Sequence, residues 1–460
     1  MVKIEDIIRL AKSRGFIFNG SEIYGGFANS YTYGPLGVEL KNNIKNLWWK
    51  RFVQDRQDMT GIDGGILLHP RTWEASGHVS GFNDQQVDCR DCKSRFRADH
   101  LVEDATGQDC EGMKNSEVSK KIREKKIKCP KCGSLNLTEV RQFNLMFETE
   151  MSKISDENST AYLRPETAQA IFLEFKNVLQ TSRKKIPFGI GQIGKAFRNE
   201  ITPGNYIFRL LEFEQMEIEY FIAEKFWKKE FSNWLMEQHN WCKAIGLRDK
   251  NIREKEHTPE KLSHYSKRTV DIEYRFPFGW KELYGLAYRT DFDLSQHQKF
   301  SGQKLQYFDE KTKQFFIPHV IEPTFGLDRT ILAVLCDSFK EEKLKDGTER
   351  TVLGLSPALS PVKVAVLPLM KKDGLPEKAQ KIRENLLSLG NIDYDLSGAI
   401  GKRYRRQDEI GTPVCVTIDF ETLEDDSVTI RDRDNMKQKR VSSKSLVQTL
   451  KKTYFKTLEV

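Results

Sequence analysis

The chain has 460 residues, of which 38% are hydrophobic and 30% are charged, and its formal net charge is +8. This length exceeds what one hydrophobic core usually organises, so we expect two or three domains, and the composition excludes a disordered or fibrous protein. No run approaches eighteen apolar residues, and the N-terminus lacks the charged-then-apolar pattern of a secretion signal. The sequence therefore predicts a cytoplasmic protein without a membrane segment, whose modest positive charge suits a polyanionic partner.

The first predicted elements are helices. Residues 2–14 carry apolar side chains at helical spacing, and a longer helix is predicted over 38–53. Its apolar residues at intervals of four are Leu36, Leu40, Ile44, Trp48 and Phe52. Such a ridge is more often a core stripe than a contact with a partner, and periodicity alone does not separate the two.

Four of the eight cysteines form two Cys-x-x-Cys turns, within a stretch over 85–145 that looks like an insertion. They are Cys89, Cys92, Cys129 and Cys132. This spacing predicts a four-thiolate zinc site with a structural role, since no ligand position stays open for a substrate. Two alternatives stay open: a vestigial site that no longer binds metal, and replacement of one ligand by Cys110.

A sheet flanked by helices is predicted after the insertion. A helix with Pro165 in its first turn extends to Leu179, and another amphipathic helix covers 225–245. Further strands, rich in aromatic residues, are predicted over 273–274, 283–293 and 315–321. Together with a hairpin over 188–217, they predict an α+β domain built on an antiparallel sheet.

The hairpin carries the residues with the most specific spacing. A strand over 188–200 leads through a turn at 203–205 into a second strand over 208–217. Alternation places three side chains of the second strand on one face, namely Arg209, Phe213 and Glu217. Such a face offers a guanidinium for a phosphate, a ring for a base and a carboxylate for an amine. The alternative is a solvated sheet with cross-strand ion pairs.

A domain boundary is predicted within 341–361, where charges, glycines and prolines accumulate. Beyond it, strands and helices alternate, and the short apolar runs 362–369 and 414–420 predict buried strands of a parallel or mixed sheet. The basic run 402–406 suits either a solvated helix face or contact with nucleic acid.

These motifs resemble those of class II aminoacyl-tRNA synthetases. The second family motif, aromatic-Arg-x-Glu followed by Arg-x-x-x-Phe-x-x-x-Glu, is matched by Phe197, Arg198, Glu200, Arg209, Phe213 and Glu217. The turn Gly326–Arg329 is similar to the third motif, with Asp328 where many members have a second glycine. The segment Tyr33–Gly37 resembles the start of the first motif, whose helix builds the dimer interface in this family.

Further blocks narrow the resemblance to the dimeric type of glycyl-tRNA synthetase. They are Gly20–Gly26, Thr72–His78, Leu163–Gln169, Arg289–Leu294, Ile321–Gly326 and Arg403–Pro413. The resemblance covers essentially the whole chain. It implies a class II catalytic domain over 1–84 and 146–345, a zinc-knuckle insertion over 85–145, a linker over 346–360 and an α/β anticodon-binding-like domain over 361–460.

The resemblance implies an ATP site in which Arg198 and Arg329 are catalytic. Arg198 is expected to hold the α-phosphate and Arg329 the γ-phosphate, while Phe213 stacks the adenine and Glu200 reads its amino group. The other residues expected at ATP are Asn199, Phe208, Arg209, Leu210, Leu211, Glu212, Glu282, Leu283, Gly326, Leu327 and Asp328. The Mg²⁺ that accompanies ATP is expected at Glu282 and Glu322.

The resemblance also implies an acidic pocket for glycine. Glu166, Glu217 and Thr324 are expected around its ammonium group, with Arg289 and Arg97 near its carboxylate. The wider set contains Phe213, Glu214, Gln215, Met216 and Glu322. Crowding by several acids leaves no space for a side chain, so larger amino acids are excluded sterically. Close relatives often have Ser in place of Thr324. Because threonine carries an extra methyl group, the resemblance does not fix the volume of the pocket.

The activity implied is ATP-dependent ligation of glycine to its cognate tRNA through glycyl-adenylate, carried out by a homodimer that needs no membrane. One alternative is a related synthetase for proline or threonine, against which the blocks around Glu74 and Glu166 argue. Another is a non-catalytic paralogue that binds nucleic acid as an accessory subunit. The presence of Arg198, Glu200 and Arg329 disfavours that second alternative.

Overall fold

The structure is a computed structural model that describes residues 2–108, 110, 112–151, 160–201, 204–344 and 347–455. Thr202, Pro203, Lys345 and Asp346 lie outside these residues. The turn predicted at 203–205 and the domain boundary predicted within 341–361 are therefore described only in part.

The N-terminal segment contributes one long helix and several short elements. They are α1 (Ile4–Ser13), β1 (Ile17–Asn19), β2 (Tyr31–Tyr33), α2 (Pro35–Trp49), β3 (Met59–Gly61), α3 (Arg71–Ala75) and α4 (His78–Gly81). The insertion follows with β4 (Asn83–Asp88), β5 (Arg95–Arg97), α5 (Ala98–Thr106), α6 (Asn115–Glu124) and β6 (Arg141–Asn144).

The longest strands come after the insertion. This part contains β7 (Phe147–Glu150), β8 (Thr160–Leu163), α7 (Ala168–Ser182), β9 (Phe188–Phe197), β10 (Glu212–Ile222), α8 (Trp227–Ala244), β11 (Ile252–Glu256), β12 (Arg268–Phe276), β13 (Gly279–Thr290), α9 (Phe292–Ser301), β14 (Tyr307–Asp309), β15 (Gln314–Phe316), β16 (His319–Gly326), α10 (Leu327–Ser338), β17 (Phe339–Lys343) and β18 (Glu349–Leu353). The C-terminal unit contains β19 (Val364–Pro368), α11 (Leu375–Leu386), β20 (Ile392–Tyr394), α12 (Ile400–Ile410), β21 (Val414–Ile418), α13 (Phe420–Asp425), β22 (Ser427–Asp432), β23 (Gln438–Ser442) and α14 (Leu446–Tyr454). Among the described helices, none combines the length and the apolar character needed to cross a membrane.

A seven-stranded sheet forms the centre of the main body, in the order β11-β12-β13-β16-β10-β9-β3. Neighbouring strands run antiparallel, except that β3 pairs with β9 in parallel at one edge. Glu217 of β10 lies opposite Thr324 of β16. Directly paired residues project to the same side of a sheet, so these two side chains share one face.

The other face of the sheet is covered by α2 and α10 in the main apolar core. Four of the five ridge residues are buried there, namely Leu40, Ile44, Trp48 and, just beyond the end of α2, Phe52. The ring of Trp48 lies 5.8 Å from that of Phe325, and the ring of Phe52 lies 5.2 Å from it. Burial of each such side chain contributes about 1.5–3 kcal/mol to folding. The interpretation of the ridge as a core stripe is thus confirmed.

The segment Tyr33–Gly37 turns tightly into α2. Pro35 occupies the first turn of the helix, where its missing N–H leaves no hydrogen bond unmade. A Cβ atom at Gly37 would lie 1.8 Å from the carbonyl oxygen of Phe16, so the backbone approaches too closely there for any side chain.

The insertion forms a small unit with an apolar core of its own. Its strands pair in the order β5-β4-β6. The core contains Val87, Leu101, Val102, Val118, Ile122 and also Cys110. Because these residues pack on one another instead of on the main sheet, the unit has the character of an insertion, while its boundaries stay predictions.

The C-terminal unit is built on a mixed sheet, as the apolar runs predict, in the order β20-β19-β21-β22-β23. Strand β19 runs parallel to β20 and β21, whereas β22 and β23 are antiparallel. The basic run in α12 supports this fold. Arg403 is buried and donates to the carbonyl oxygens of Pro368 and Asp395. Arg406 donates to the Asp395 carboxylate at 2.6 Å.

Several predicted elements have different ends in the structure. The helix predicted from Pro165 begins at Ala168, the strand predicted to Glu200 ends at Phe197, and the strand predicted from Phe208 begins at Glu212. The reason in the last case is a tight turn at Tyr206–Phe208, which is entered with positive φ at Asn205 and Tyr206. The stretch predicted as a linker contains β18, which pairs with β17.

Candidate active site

A pocket opens on the face of the main sheet that carries Glu217 and Thr324. Strands β10, β13 and β16, the segment before α7 and the turn into α10 form its walls. The predicted site residues that line it are Glu166, Arg198, Glu200, Phe208, Arg209, Leu210, Phe213, Glu214, Gln215, Glu217, Glu282, Leu283, Glu322, Thr324, Gly326, Asp328 and Arg329. Residues predicted for ATP and residues predicted for glycine thus converge on one pocket.

Other predicted residues lie outside this pocket. They are Asn199, Leu211, Glu212, Leu327, Arg97, Met216 and Arg289. Met216 and Leu327 point into the main apolar core. Met216 alternates away from the pocket along β10, and Leu327 lies on the face of α10 that is turned away from the pocket. Leu211 and Glu212 line a separate cavity beside Tyr31 and Tyr33. The backbone N–H of Asn199 donates to the Leu145 carbonyl at 2.8 Å.

Two residues predicted to contact glycine are engaged in ion pairs with other side chains. Arg97 is engaged by Asp84 at 2.9 Å and by Asp99 at 2.6 Å, all within the insertion. The Glu214 carboxylate projects to the opposite face of the sheet. There it is bound by Lys41 at 2.7 Å and by Lys45 at 2.6 Å, both from α2.

The deepest part of the site is a cluster of buried acids around one guanidinium. Arg289, 1% exposed, donates to both carboxylate oxygens of Asp293 at 2.7 and 2.8 Å and also to Glu322. The ring of Tyr265 lies 3.8 Å from its guanidinium carbon, which favours the cation further. Arg289 therefore acts from behind the pocket wall, where it holds the acids in place.

Two acids at the pocket surface are held by neighbouring side chains. Glu166 accepts from the Gln169 side chain at 2.9 Å and lies 3.4 Å from Nε2 of His78. Glu217 accepts from the hydroxyl of Thr324 at 2.9 Å and from the hydroxyl of Thr167. Both carboxylates thus keep fixed orientations toward the pocket.

The acids of the cluster differ in their tendency to ionise. Burial alone raises the pKa of Glu166, but His78 and Arg289 outweigh it and lower that pKa. Burial and the nearby Glu166 raise the pKa of Glu217. Burial and the neighbouring acids raise the pKa of Glu322 to about 8, against the opposing effect of Arg289. An excess of buried acid over cation makes this pocket suitable for a substrate with a positive group.

The other end of the pocket carries the cationic side chains. The guanidinium carbon of Arg198 lies 5.2 Å from the centre of the Phe213 ring, and its Nε donates to the Pro165 carbonyl at 3.0 Å. Arg329 pairs with Glu282 at 3.0 Å and lies 4.4 Å above the Phe208 ring. Planar guanidinium groups beside aromatic rings fit a polyphosphate joined to a base.

The carboxylate of Asp328 links the three family motifs. One of its carboxylate oxygens accepts from the backbone N–H of Glu214 at 2.8 Å, and the other accepts from the hydroxyl of Tyr33. The glycine that many family members have at this position has no side chain and could not form this bridge. Asp328 thus fixes β10 relative to the turn before α2 and the start of α10.

A single Mg²⁺ ion bound by both Glu282 and Glu322 does not fit the sheet register. Glu322 of β16 lies opposite Ala287 of β13. Glu282 is several residues away from Ala287 along β13, which separates the backbone positions of the two acids by roughly 15 Å along the sheet. Glu322 is also engaged by Arg289. Only Glu282 lies at the cationic end of the pocket, where phosphates are expected.

The four predicted zinc ligands meet at one point of the insertion. The sulfur atoms of Cys89 and Cys132 lie 3.6 Å apart, as do those of Cys92 and Cys129. All four lie within 4.8 Å of one another. A tetrahedral zinc with bonds of about 2.3 Å requires sulfur separations of about 3.8 Å, so the donor set fits this ion.

Several residues that orient the site were not assigned by sequence reasoning. His78, Thr167 and Gln169 stand within the family blocks, but no pattern indicates that they bind the pocket acids. Tyr265 lies in a polar segment without any motif, and only the fold brings its ring to Arg289. Glu219, buried on β10 behind Glu217, carries no spacing signal that distinguishes it from a core position.

Comparison with known families agrees with the fold and the pocket. Residues 147–338 match a family model described as tRNA synthetase class II core domain (G, H, P, S and T), and residues 363–453 match one described as anticodon binding domain. Together with the antiparallel sheet, these matches define a class II aminoacyl-tRNA synthetase core joined to an anticodon-binding domain.

Similar proteins of known name narrow the class. A protein named Glycine--tRNA ligase from Acetivibrio thermocellus is 54% identical over 449 residues, which cover 96% of this chain and 97% of that protein. Proteins of the same name from Clostridium acetobutylicum and Geobacillus thermodenitrificans are 53% and 54% identical, and each alignment covers at least 95% of both chains. The chain belongs to the glycine–tRNA ligase family of class II synthetases. The proline, threonine and non-catalytic alternatives receive no support.

Proposed function

We propose that the pocket forms glycyl-adenylate from glycine and ATP, and that the chain then transfers glycine to its tRNA. The family supplies the overall activity, and class II synthetases use ATP with Mg²⁺. The assignment of the pocket rests on the opposite charge of its two ends. Buried acids converge at one end, where an ammonium group fits, and two arginines flank aromatic rings at the other.

Activation requires the glycine carboxylate to attack the α-phosphate of ATP in line, so positioning and neutralisation of charge carry the step. Arg198 is proposed to hold the α-phosphate and to stabilise the charge that develops there. Arg329 is proposed to hold the γ-phosphate, released from its pairing with Glu282. Phe213 is proposed to stack the adenine, with Glu200 near the amino group.

Of the two predicted magnesium ligands, Glu282 is the one that fits. Burial raises the pKa of Glu282, but Arg329 outweighs it and lowers that pKa, so the group is ionised at neutral pH. A carboxylate beside the expected phosphates is the ligand that Mg²⁺ prefers, and the ion would neutralise phosphate charge.

Glycine is proposed to bind with its ammonium group between Glu166 and Glu217. Thr324 bridges to Glu217 through its hydroxyl, and its methyl group adds bulk to the wall of the pocket. A larger amino acid meets this wall and the fixed acids instead of an open space.

Replacing Thr324 by glycine should raise the activation of alanine relative to glycine. The loss of bulk admits one extra methyl group, and a contact of that size changes discrimination by ~1–3 kcal/mol, or about 5- to 150-fold. The ratio of kcat/KM for the two amino acids in ATP–pyrophosphate exchange measures the effect. Thr324→Ser is the matched intermediate: it keeps the hydroxyl that donates to Glu217 but loses the methyl group, so it should shift the ratio less than Thr324→Gly. An unchanged ratio in Thr324→Gly would show that another residue forms the wall.

The four cysteines are proposed to bind one structural zinc. The site lies at the base of the insertion, where β4 also carries Asp84, the partner of Arg97. Burial raises the pKa of Asp84 to about 6, Arg97 opposes this, and Glu200 adds to it. Because Glu200 lines the pocket and acts on Asp84, the insertion is proposed to lie near the rim of the pocket.

Replacing Cys129 and Cys132 by serine should remove the zinc and lower glycine activation several-fold, without unfolding the main body. The main core does not include the insertion, so only local structure is expected to loosen. Metal analysis, exchange activity and hydrogen exchange measure the three effects. Cys110→Ser is the control, since Cys110 lies apart from the four sulfurs and its loss should leave the zinc bound. A parent protein without zinc would contradict the proposal.

The assembly is proposed to be a homodimer, as the family resemblance implies. The segment near β2 exposes Ile23, Tyr24 and Phe27 to 88%, 86% and 63%, which supports an interface at this surface. The C-terminal unit is proposed to bind the anticodon region of the tRNA. Because Arg403 and Arg406 form hydrogen bonds within the C-terminal unit, other side chains are expected to contact the RNA.

Transfer to tRNA is tested by incubating the protein with labelled glycine, ATP, Mg²⁺ and bulk tRNA. Acid-precipitable label that depends on all four components is the expected result. Activation of glycine without any transfer to tRNA would contradict the second half of the proposal.

A further inference from the structure

Glu219 is a buried acid on β10 to which no role is yet assigned. It is fully buried, and within the described part of the chain neither of its carboxylate oxygens has a hydrogen-bond partner. An ionised carboxylate in such a position is strongly unfavourable, since burial without donors disfavours the charged form. Its position two residues after Glu217 puts it on the same face of the sheet, beneath the proposed glycine pocket.

The sheet register places a second acid directly against it. Glu217 pairs with Thr324 and Tyr220 pairs with Ile321, so Glu219 lies opposite Glu322. One carboxylate oxygen from each of Glu217, Glu219 and Glu322 lies within 4.8 Å of the others. Directly opposed like charges are destabilising, and two carboxyl groups at this separation resist ionising together.

The charged groups around this pair are mostly acidic. Glu217 faces it from β10, Glu166 from the segment before α7 and Asp293 from α9. Arg289 of β13 is the cation among them, and it is already engaged by Asp293 and by Glu322. An additional positive charge is therefore needed for every acid of the cluster to ionise.

We propose that Glu219 and Glu322 share one proton while the pocket is empty, and that the ammonium group of the substrate displaces this proton to water. The inference rests on the proposed function, in which glycine brings its ammonium group to Glu166 and Glu217. No covalent bond between heavy atoms changes. One positive charge enters as ammonium, one leaves as a proton, and the charge of the pocket is conserved. Glu219 thus acts as a positioning and specificity-determining residue beneath the pocket.

The direction of the pH dependence follows from this exchange. Burial and the neighbouring Glu322 raise the pKa of Glu219 well above its usual value, and the pKa of Glu322 is raised to about 8. Below about pH 8 the empty pocket holds the proton that glycine must displace. Affinity for glycine should therefore strengthen as pH rises toward about 8, by up to about tenfold per pH unit.

The variant Glu219→Gln tests the inference through the pH profile of the KM for glycine in ATP–pyrophosphate exchange. The parent KM should fall between about pH 6.5 and about pH 8. In the variant, glutamine mimics the protonated acid and leaves Glu322 ionised beside Arg289. The KM for glycine should therefore be nearly independent of pH. Glu310→Gln, which removes an exposed partner of Lys185, should keep the parent profile. The KM for ATP serves as a second control and should not change between parent and Glu219→Gln.

Two results would overturn the inference. One is a variant profile identical to that of the parent. The other is loss of glycine use by Glu219→Gln at every pH, which would make Glu219 an ionised ligand of a cation. If the parent itself shows no glycine-dependent exchange, the proposed function fails instead, so the two failures are distinguishable.

A measurement on the unaltered protein removes any dependence on folding of the variant. Glycine is titrated by calorimetry, in the presence of a non-reactive ATP analogue, in two buffers of different ionisation enthalpy near about pH 7. The heat should differ between the buffers by an amount that corresponds to release of up to one proton per site. Equal heats in both buffers would contradict proton displacement.

Discussion

Replacement of Arg198 by alanine is expected to lower glycine-dependent ATP–pyrophosphate exchange by about 100- to 1,000-fold. This is the usual loss when one group that stabilises transition-state charge is removed from a preorganised site. The side chain stands between the Phe82 and Phe213 rings, with its guanidinium carbon 5.3 and 5.2 Å from their centres, so it is oriented before substrate binds. Binding of tRNA should be nearly unchanged, because Arg198 belongs to the activation step.

Arg198→Lys is the matched variant for this prediction. Lysine keeps the charge but not the planar pair of donors or the stacking on the rings, so partial activity is expected. The parent protein should be the most active, followed by Arg198→Lys and then by Arg198→Ala. Exchange by Arg198→Ala near the parental rate would exclude Arg198 from the role at the α-phosphate.

Replacement of Arg289 by methionine is expected to destabilise the main body by ~3–5 kcal/mol. Removal of one partner of a buried ion pair leaves the other charge uncompensated, and here both Asp293 and Glu322 lose their donor. The first transition in thermal unfolding should occur at a lower temperature, and activation of glycine should be lost even where the protein stays folded.

An exposed arginine on the same sheet provides the comparison. Arg253 of β11 is about half exposed, and its buried partner Glu273 keeps a second cation, Lys255 at 3.4 Å, so Arg253→Met should change stability by only ~0–1 kcal/mol. Equal small effects of the two substitutions would show that the buried cluster does not depend on Arg289. A large effect of Arg289→Met alone supports the assignment of this residue to the support of the pocket.

The sequence predicts the site best within a single strand, where the alternation of side chains determines which residues share a face. Alternation along β10 correctly groups Phe213 and Glu217 and turns Met216 away from the pocket, whereas Arg209 lies before the start of the strand. The family blocks bring Glu166 and Thr324 to the same site. Register between strands is not readable from one sequence, so the separation of Glu282 from Glu322 appears only in the fold.

Ion pairing also depends on the fold. The contacts of Glu214 with Lys41 and of Arg97 with Asp84 join residues far apart along the chain or within an irregular insertion. A motif match fixes residue type and spacing, but not which face a carboxylate takes when a cation competes for it. For the same reason, the motif match does not reveal the bridge that Asp328 forms between the motifs.

Amino-acid-dependent ATP–pyrophosphate exchange across all twenty amino acids tests the central assignment most directly, because it measures the pocket without tRNA. The opposed acidic and cationic ends of the pocket predict exchange with glycine that depends on Mg²⁺ and exceeds that with alanine, proline or threonine by a wide margin. Exchange driven by another amino acid, or the absence of exchange with glycine in the parent protein, would contradict the account.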